Sequence, residues 1–136
     1  MIRTNITKAV LLACILALSL SCGRNEKEVS EIAEKFLDSY FGVDYEKAAG
    51  YCTPELGEEL KVSLKSIESL EKGVKDMIIK QTSGIKFGIK KVDKTYVKDS
   101  LIVVYEVKLP GYPDGSDNRL SLVKRNKEWK VATIGK

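Results

Sequence analysis

Histidine is absent from all 136 residues. The usual general base of Ser-His-Asp and Cys-His catalysis is therefore missing, and so is the commonest nitrogen ligand of zinc. Three cysteines cannot make an all-thiolate zinc site, which needs four. Imidazole-based pH sensing near neutrality is excluded with them. No cofactor fingerprint or metal-binding spacing occurs, so no cofactor and no metal is expected. Charge of one sign is not concentrated either: the formal net charge is +4, and no basic face of the kind that holds nucleic acid stands out. Proline is scarce, and two of the three, Pro110 and Pro113, fall in one short stretch, which marks a single loop. Long apolar runs are also lacking. The longest, Ala9 to Leu20, would span about 18 Å as a helix, well short of the ~30 Å hydrocarbon core of a bilayer.

What is present begins with an address. Residues 1–8 are polar and basic, residues 9–20 are apolar, and Ser21-Cys22-Gly23 precedes a strongly charged stretch. Basic start, short apolar centre and small residues at a cut site are the order of a secretory signal. The segment Leu18-Ser19-Leu20-Ser21-Cys22 resembles the lipobox of bacterial lipoproteins. Ser21 matches the small residue before the cysteine; Ser19 stands where that family usually has leucine. The resemblance implies removal of residues 1–21, acylation of Cys22, and a membrane as partner through that lipid. Gly23 rather than Asp after the cysteine implies, by the enterobacterial sorting rule, an outer-membrane lipoprotein of the bacterial cell envelope, facing the periplasm or the surface. Loss of the segment takes away Arg3, Lys8 and Cys14. The balance becomes 21 Lys and Arg against 19 Asp and Glu, and Cys52 is left as a lone thiol with no disulfide partner.

Residues 22–28 read as the lipidated cysteine and a tether, and residues 29–136 as one domain. Val29, Ile32, Ala33, Phe36, Leu37, Tyr40 and Phe41 recur at helical spacing and end at Gly42. Asp44 caps a short helix over 45–51, and Thr53-Pro54 opens a longer one. The apolar positions of that helix, Leu56, Leu60, Leu64, Ile67, Leu70, Val74, Met77 and Ile78, predict one face buried against a sheet, with a bend or stop at Gly73. After Ser83-Gly84 the period changes to two. Strands are expected at 85–89 continuing through Thr95-Tyr96-Val97, at 101–109, at 120–123 and at 129–134, the last two joined by a hairpin at 125–128. Helices first and an antiparallel meander after them make an α+β domain.

The opening Ala33-Glu34-Lys35-Phe36-Leu37-Asp38-Ser39-Tyr40-Phe41 with Asp44-Tyr45-Glu46-Lys47-Ala48, and the closing 122–131, resemble the nuclear-transport-factor-2-like superfamily. The resemblance implies a cystatin-like cone: N-terminal helices packed on a curved, four-stranded antiparallel sheet, with a pocket inside. It also implies two function classes, since that fold hosts binders and enzymes alike. As an isomerase or dehydratase the chain would draw on Asp38, Tyr40, Tyr51, Tyr96 and Tyr105. Asp38 falls on the polar side of its helix, however, and no acid is placed on the inward face of a strand. The leading expectation is thus a non-enzymatic module that binds a small apolar ligand in the cone or an envelope protein through the sheet or a loop, with a homodimer as a further option and no nucleic acid. The loop 109–118, with Tyr112 and Asp114, is the candidate partner-binding site.

Overall fold

The computed structural model describes residues 25–135. The signal segment, Cys22 and the first residues of the tether lie outside the described residues. Four helices precede four strands: α1 over 25–41, α2 Tyr45–Ala49, α3 Pro54–Glu68, α4 Lys72–Ser83, then β1 Lys86–Lys94, β2 Ser100–Lys108, β3 Ser116–Arg125 and β4 Glu128–Gly135. The sheet is antiparallel throughout, in the order β1-β2-β3-β4. This is the expected α+β architecture. Residues 25–28, read from sequence as tether, already belong to α1.

Local chemistry explains most boundaries. The Asp44 carboxylate accepts from Lys47 N and starts α2. The Thr53 hydroxyl accepts from Leu56 N, and Pro54 occupies the first turn of α3, where its missing N–H costs nothing. The β3–β4 turn places Asn126 and Lys127 both at positive φ, 53° and 66°, the twist that a two-residue hairpin needs.

The core lies between α1, the start of α3 and one face of the sheet. Val29, Ala33, Phe36 and Leu37 of α1 are fully buried, as are Val103, Leu120, Leu122 and Val131 of the strands. A bulge at Lys90 brings Val92 back to the face shared by Phe87 and Ile89. The outer edge of β4 is closed by residues 51–53: Val131 N donates to Tyr51 O and Thr53 N to Val131 O, both at 2.8 Å. Those bonds satisfy the edge at Val131, midway along β4.

Three further expectations are corrected. The strand expected at 120–123 begins already at Ser116, so residues 116–118 of the expected loop 109–118 belong to β3. The long apolar stripe that opens at Pro54 does not form one buried helix. It breaks at Ser69–Glu71, before Gly73, and only Leu56, Gly57 and Leu60 are buried. Helix α4 buries no residue at all. Thr95-Tyr96-Val97 is not strand but turn: the Thr95 hydroxyl donates to Val97 O and accepts from Val97 N, and Asp99 completes the reversal at φ 57°. Local hydrogen bonding of this kind overrides the strand preference of Tyr and Val.

Candidate functional site

Strand and helix directions give the molecule two distinct ends. At one, the β1–β2 and β3–β4 turns lie together, joined by Lys124 N donating to Asp99 O at 2.9 Å, and the start of α1 lies beside them: Asn25 and Glu26 share a cleft with Lys94, Thr95, Val97 and Trp129. At the other, the end of α4 meets the loop between β2 and β3.

That second end holds an open groove of about 830 Å³ lined by Met77, Lys80, Ile85, Leu109, Pro110 and Tyr112. Its walls are apolar and accessible, with Met77 53%, Leu109 50% and Tyr112 68% exposed. Gly84, at the turn out of α4, lets the loop approach; a Cβ there would stand 2.7 Å from Pro110 Cγ. Gly111 turns the loop at φ +82°, a conformation that favours glycine. Thr82 spends its hydroxyl on Ile78 O at 2.9 Å, so Lys80, the Gln81 amide and the Tyr112 hydroxyl are the polar side-chain groups left to orient an occupant. The predicted loop thus contributes Tyr112 and Pro110 to the groove. Asp114 is exposed in the same loop and does not line it. Met77 and Ile85, the opposite wall, were missed as site residues in the sequence, where Met77 belongs to an apolar stripe and Ile85 to a strand.

The inside of the helix–sheet sandwich is filled at this end by rings. Phe36 stacks on Tyr40 at 5.5 Å between centroids, Tyr40 on Tyr45 at 5.4 Å, and Phe41 meets Phe87 at 5.7 Å. Burial pushes the Tyr105 phenol up to about 12, with Tyr40 adding to the rise, and Tyr45 is raised for the same two reasons. These phenols stay protonated at neutral pH. The residues considered for proton transfer do not converge. Asp38 is exposed, Tyr51 is tied to β4 by its backbone, Tyr96 is exposed in a turn, and only Tyr40 and Tyr105 approach the same aromatic interior. No described Asp or Glu is buried. Asp93 and Glu106, half-buried, face Lys91 at 3.4 Å and Lys108 at 3.6 Å across exposed ion pairs. A carboxylate tuned by an apolar surround, the usual device for proton abstraction, is therefore not among the described residues. Nor is any group of three His, Cys, Asp or Glu that could hold a metal.

Among solved structures the chain is similar to a Campylobacter jejuni protein provisionally named an NTF2-like transpeptidase. Identity is 16%, the match covers 76% of this chain and 95% of that one, and the TM-score is 0.46. No family model matches, and neither does any curated protein.

Proposed function

We propose that the chain is a non-catalytic binding module of the bacterial cell envelope, anchored by acyl chains on Cys22, with an α+β domain of the nuclear-transport-factor-2-like kind. Its binding surface is the groove between α4 and the Leu109–Tyr112 loop. The observation that carries this reading is the unburied apolar side of α4. Val74 and Met77, one turn apart, are 38% and 53% exposed on a helix that buries nothing, and Met77 continues into a wall made by Leu109, Pro110 and Tyr112. Contiguous apolar surface with aromatic and methionine side chains is what partner-binding patches are made of. The occupant is the apolar side chains of an envelope protein, with Tyr112 as anchor. A small apolar ligand is the second reading, favoured by a volume of about 830 Å³, inside the ~300–1,000 Å³ range of ligand pockets.

The test is native mass spectrometry of the full chain extracted from membranes, combined with crosslinking in cells from a photoreactive residue at position 112. A protein adduct that Met77→Asp abolishes supports the leading reading. A releasable small mass without an adduct supports the second. A bare chain with no specific adduct sinks both.

A further inference from the structure

The end of the molecule opposite the groove carries a different surface. Tyr96 is fully exposed and Val97 68% exposed at the tip of the β1–β2 turn. The Thr95 hydroxyl braces that tip through Val97 N, Val97 O and Ser100 O at 3.0–3.2 Å, so the two apolar side chains project from a turn held by local hydrogen bonds. Cations surround them. Lys94 and Lys98 flank the tip, and the neighbouring hairpin adds Lys127 from its turn and Lys124 from the end of β3, whose ammonium lies 5.9 Å from the centroid of the Trp129 ring. None of these four joins an ion pair among the described residues, whereas Lys91, Arg125 and Lys130 are held by Asp93, Glu55 and Glu128. Among the described residues the acids at this end outside any ion pair are Glu26, Glu28 and Asp99, against Lys27 and the four lysines of the two hairpins, so cationic charge is in excess.

The start of α1 fixes what this surface faces. Asn25 and Glu26 line one cleft with Lys94, Thr95 and Val97, and only Gly23 and Arg24 separate Cys22 from the described helix. The three residue steps from Cys22 to Asn25 can reach at most about 10 Å. A lipid on Cys22 would therefore keep the start of α1, and the two turns beside it, near the bilayer surface.

We propose that the turns at 95–99 and 126–127 are the membrane-facing end of the domain, with Tyr96 and Val97 seated in the headgroup layer and Lys94, Lys98, Lys124 and Lys127 against anionic lipid. This rests on the acylation of Cys22 proposed above. Tyr suits that layer, since its ring enters the apolar boundary while its hydroxyl stays wet, and lysines near an anionic leaflet are attracted within a Debye length. The binding groove then points away from the bilayer. The nine-residue strands β1 and β2 run between the two ends, and at about 3.3 Å per residue they set the groove roughly 30 Å off. Its occupant comes from the aqueous side rather than from the lipid.

The experiment uses the full chain, processed in a bacterial host and reconstituted into vesicles of phosphatidylethanolamine and phosphatidylglycerol. Intact-mass analysis reads the acyl chains directly. Nitroxide labels are then placed singly at two exposed turn positions, Val97→Cys and Tyr112→Cys, in a Cys52→Ala background, and collisions with oxygen and with a water-soluble nickel chelate are compared. The expected result is an oxygen-to-nickel collision ratio that rises at position 97 on reconstitution and stays at its aqueous value at position 112. An acylated chain whose two positions both remain aqueous overturns the orientation and leaves the anchor standing. A chain without acyl mass overturns the anchor, and the orientation with it. Loss of the rise at position 97 on adding Tyr96→Ser, with acylation intact, assigns the contact to the turn.

Discussion

Cys52 shows how one side chain can couple to the whole fold. Its thiol donates to Ala48 O at 3.3 Å beneath β4, and burial pushes its pKa from 9.0 to about 11, against a smaller pull downward from Lys130. The folded chain therefore holds this proton more tightly than the unfolded chain does. Below pH ~9 both states are protonated and the thiol makes stability no more pH-dependent. Between about 9 and 11 the unfolded chain ionises first, so stability falls as pH rises. Tyr105, raised from 10.0 to about 12, extends the same decline to higher pH. Urea midpoints measured from pH 7 to 10.5 are expected to stay level up to about pH 8.5 and then drop. Cys52→Ala should postpone the drop until the tyrosines take over near pH 10. A midpoint that climbs with alkali contradicts this account. The same burial predicts that iodoacetamide at pH 8 leaves Cys52 intact until urea is added.

Among the elements, α1 and α4 are both amphipathic by sequence and differ in what they meet. Phe36 of α1 is fully buried among the strands, whereas Met77 of α4 is half exposed. Phe36→Ala should cost about 3–5 kcal/mol, the loss of a core ring plus its cavity, which is much of a typical domain's ~5–15 kcal/mol. Met77→Ala should change stability by less than about 0.5 kcal/mol, as at other surface positions, while weakening capture at the groove. Equilibrium urea unfolding separates the two; a cost at Met77 comparable to that at Phe36 would mean that α4 is packed in solution. The contrast also marks what sequence could tell. Periodicity located α1 and the four strands because alternation and 3.6-residue spacing report which side chains share a face. It overextended the stripe from Leu56 to Ile78, because sharing a face says nothing about whether another element covers it. Capping chemistry at Asp44 and Thr53 was legible for a different reason: it involves neighbours in the chain. The groove was half legible. Pro110, Gly111 and Tyr112 announce a loop, but Met77 and Ile85 reach it only through the turn at Gly84, and no local signal records that approach.

At the scale of the molecule, the proposed acylation of Cys22 would let a short tether convert a lipid into an orientation. Were Cys22 acylated as proposed, the two residues between it and the described helix would keep the turn bearing Tyr96 at high local concentration against the bilayer, with the groove at the far ends of β1 and β2. Lengthening the tether separates anchoring from orientation. A Gly/Ser insert of about twelve residues after Gly23 would allow a root-mean-square reach of roughly 20 Å, so the domain could tumble with either end toward the membrane. Fractionation should still find the protein with the membrane, because the acyl chains are untouched. The oxygen-to-nickel ratio at position 97 should fall toward its aqueous value, because effective concentration drops steeply once a linker exceeds the span it must bridge. Should the ratio at position 97 stay high with the insert in place, the turn would be binding anionic lipid on its own, and Lys94, Lys98, Lys124 and Lys127 would supply the orientation. In that case 0.5 M salt should release it, since exposed charges separated by more than a few ångströms are screened at that ionic strength. Crosslinking at position 112 adds an independent reading of geometry: a partner that reaches the groove only at the native tether length must itself sit at a fixed height above the membrane.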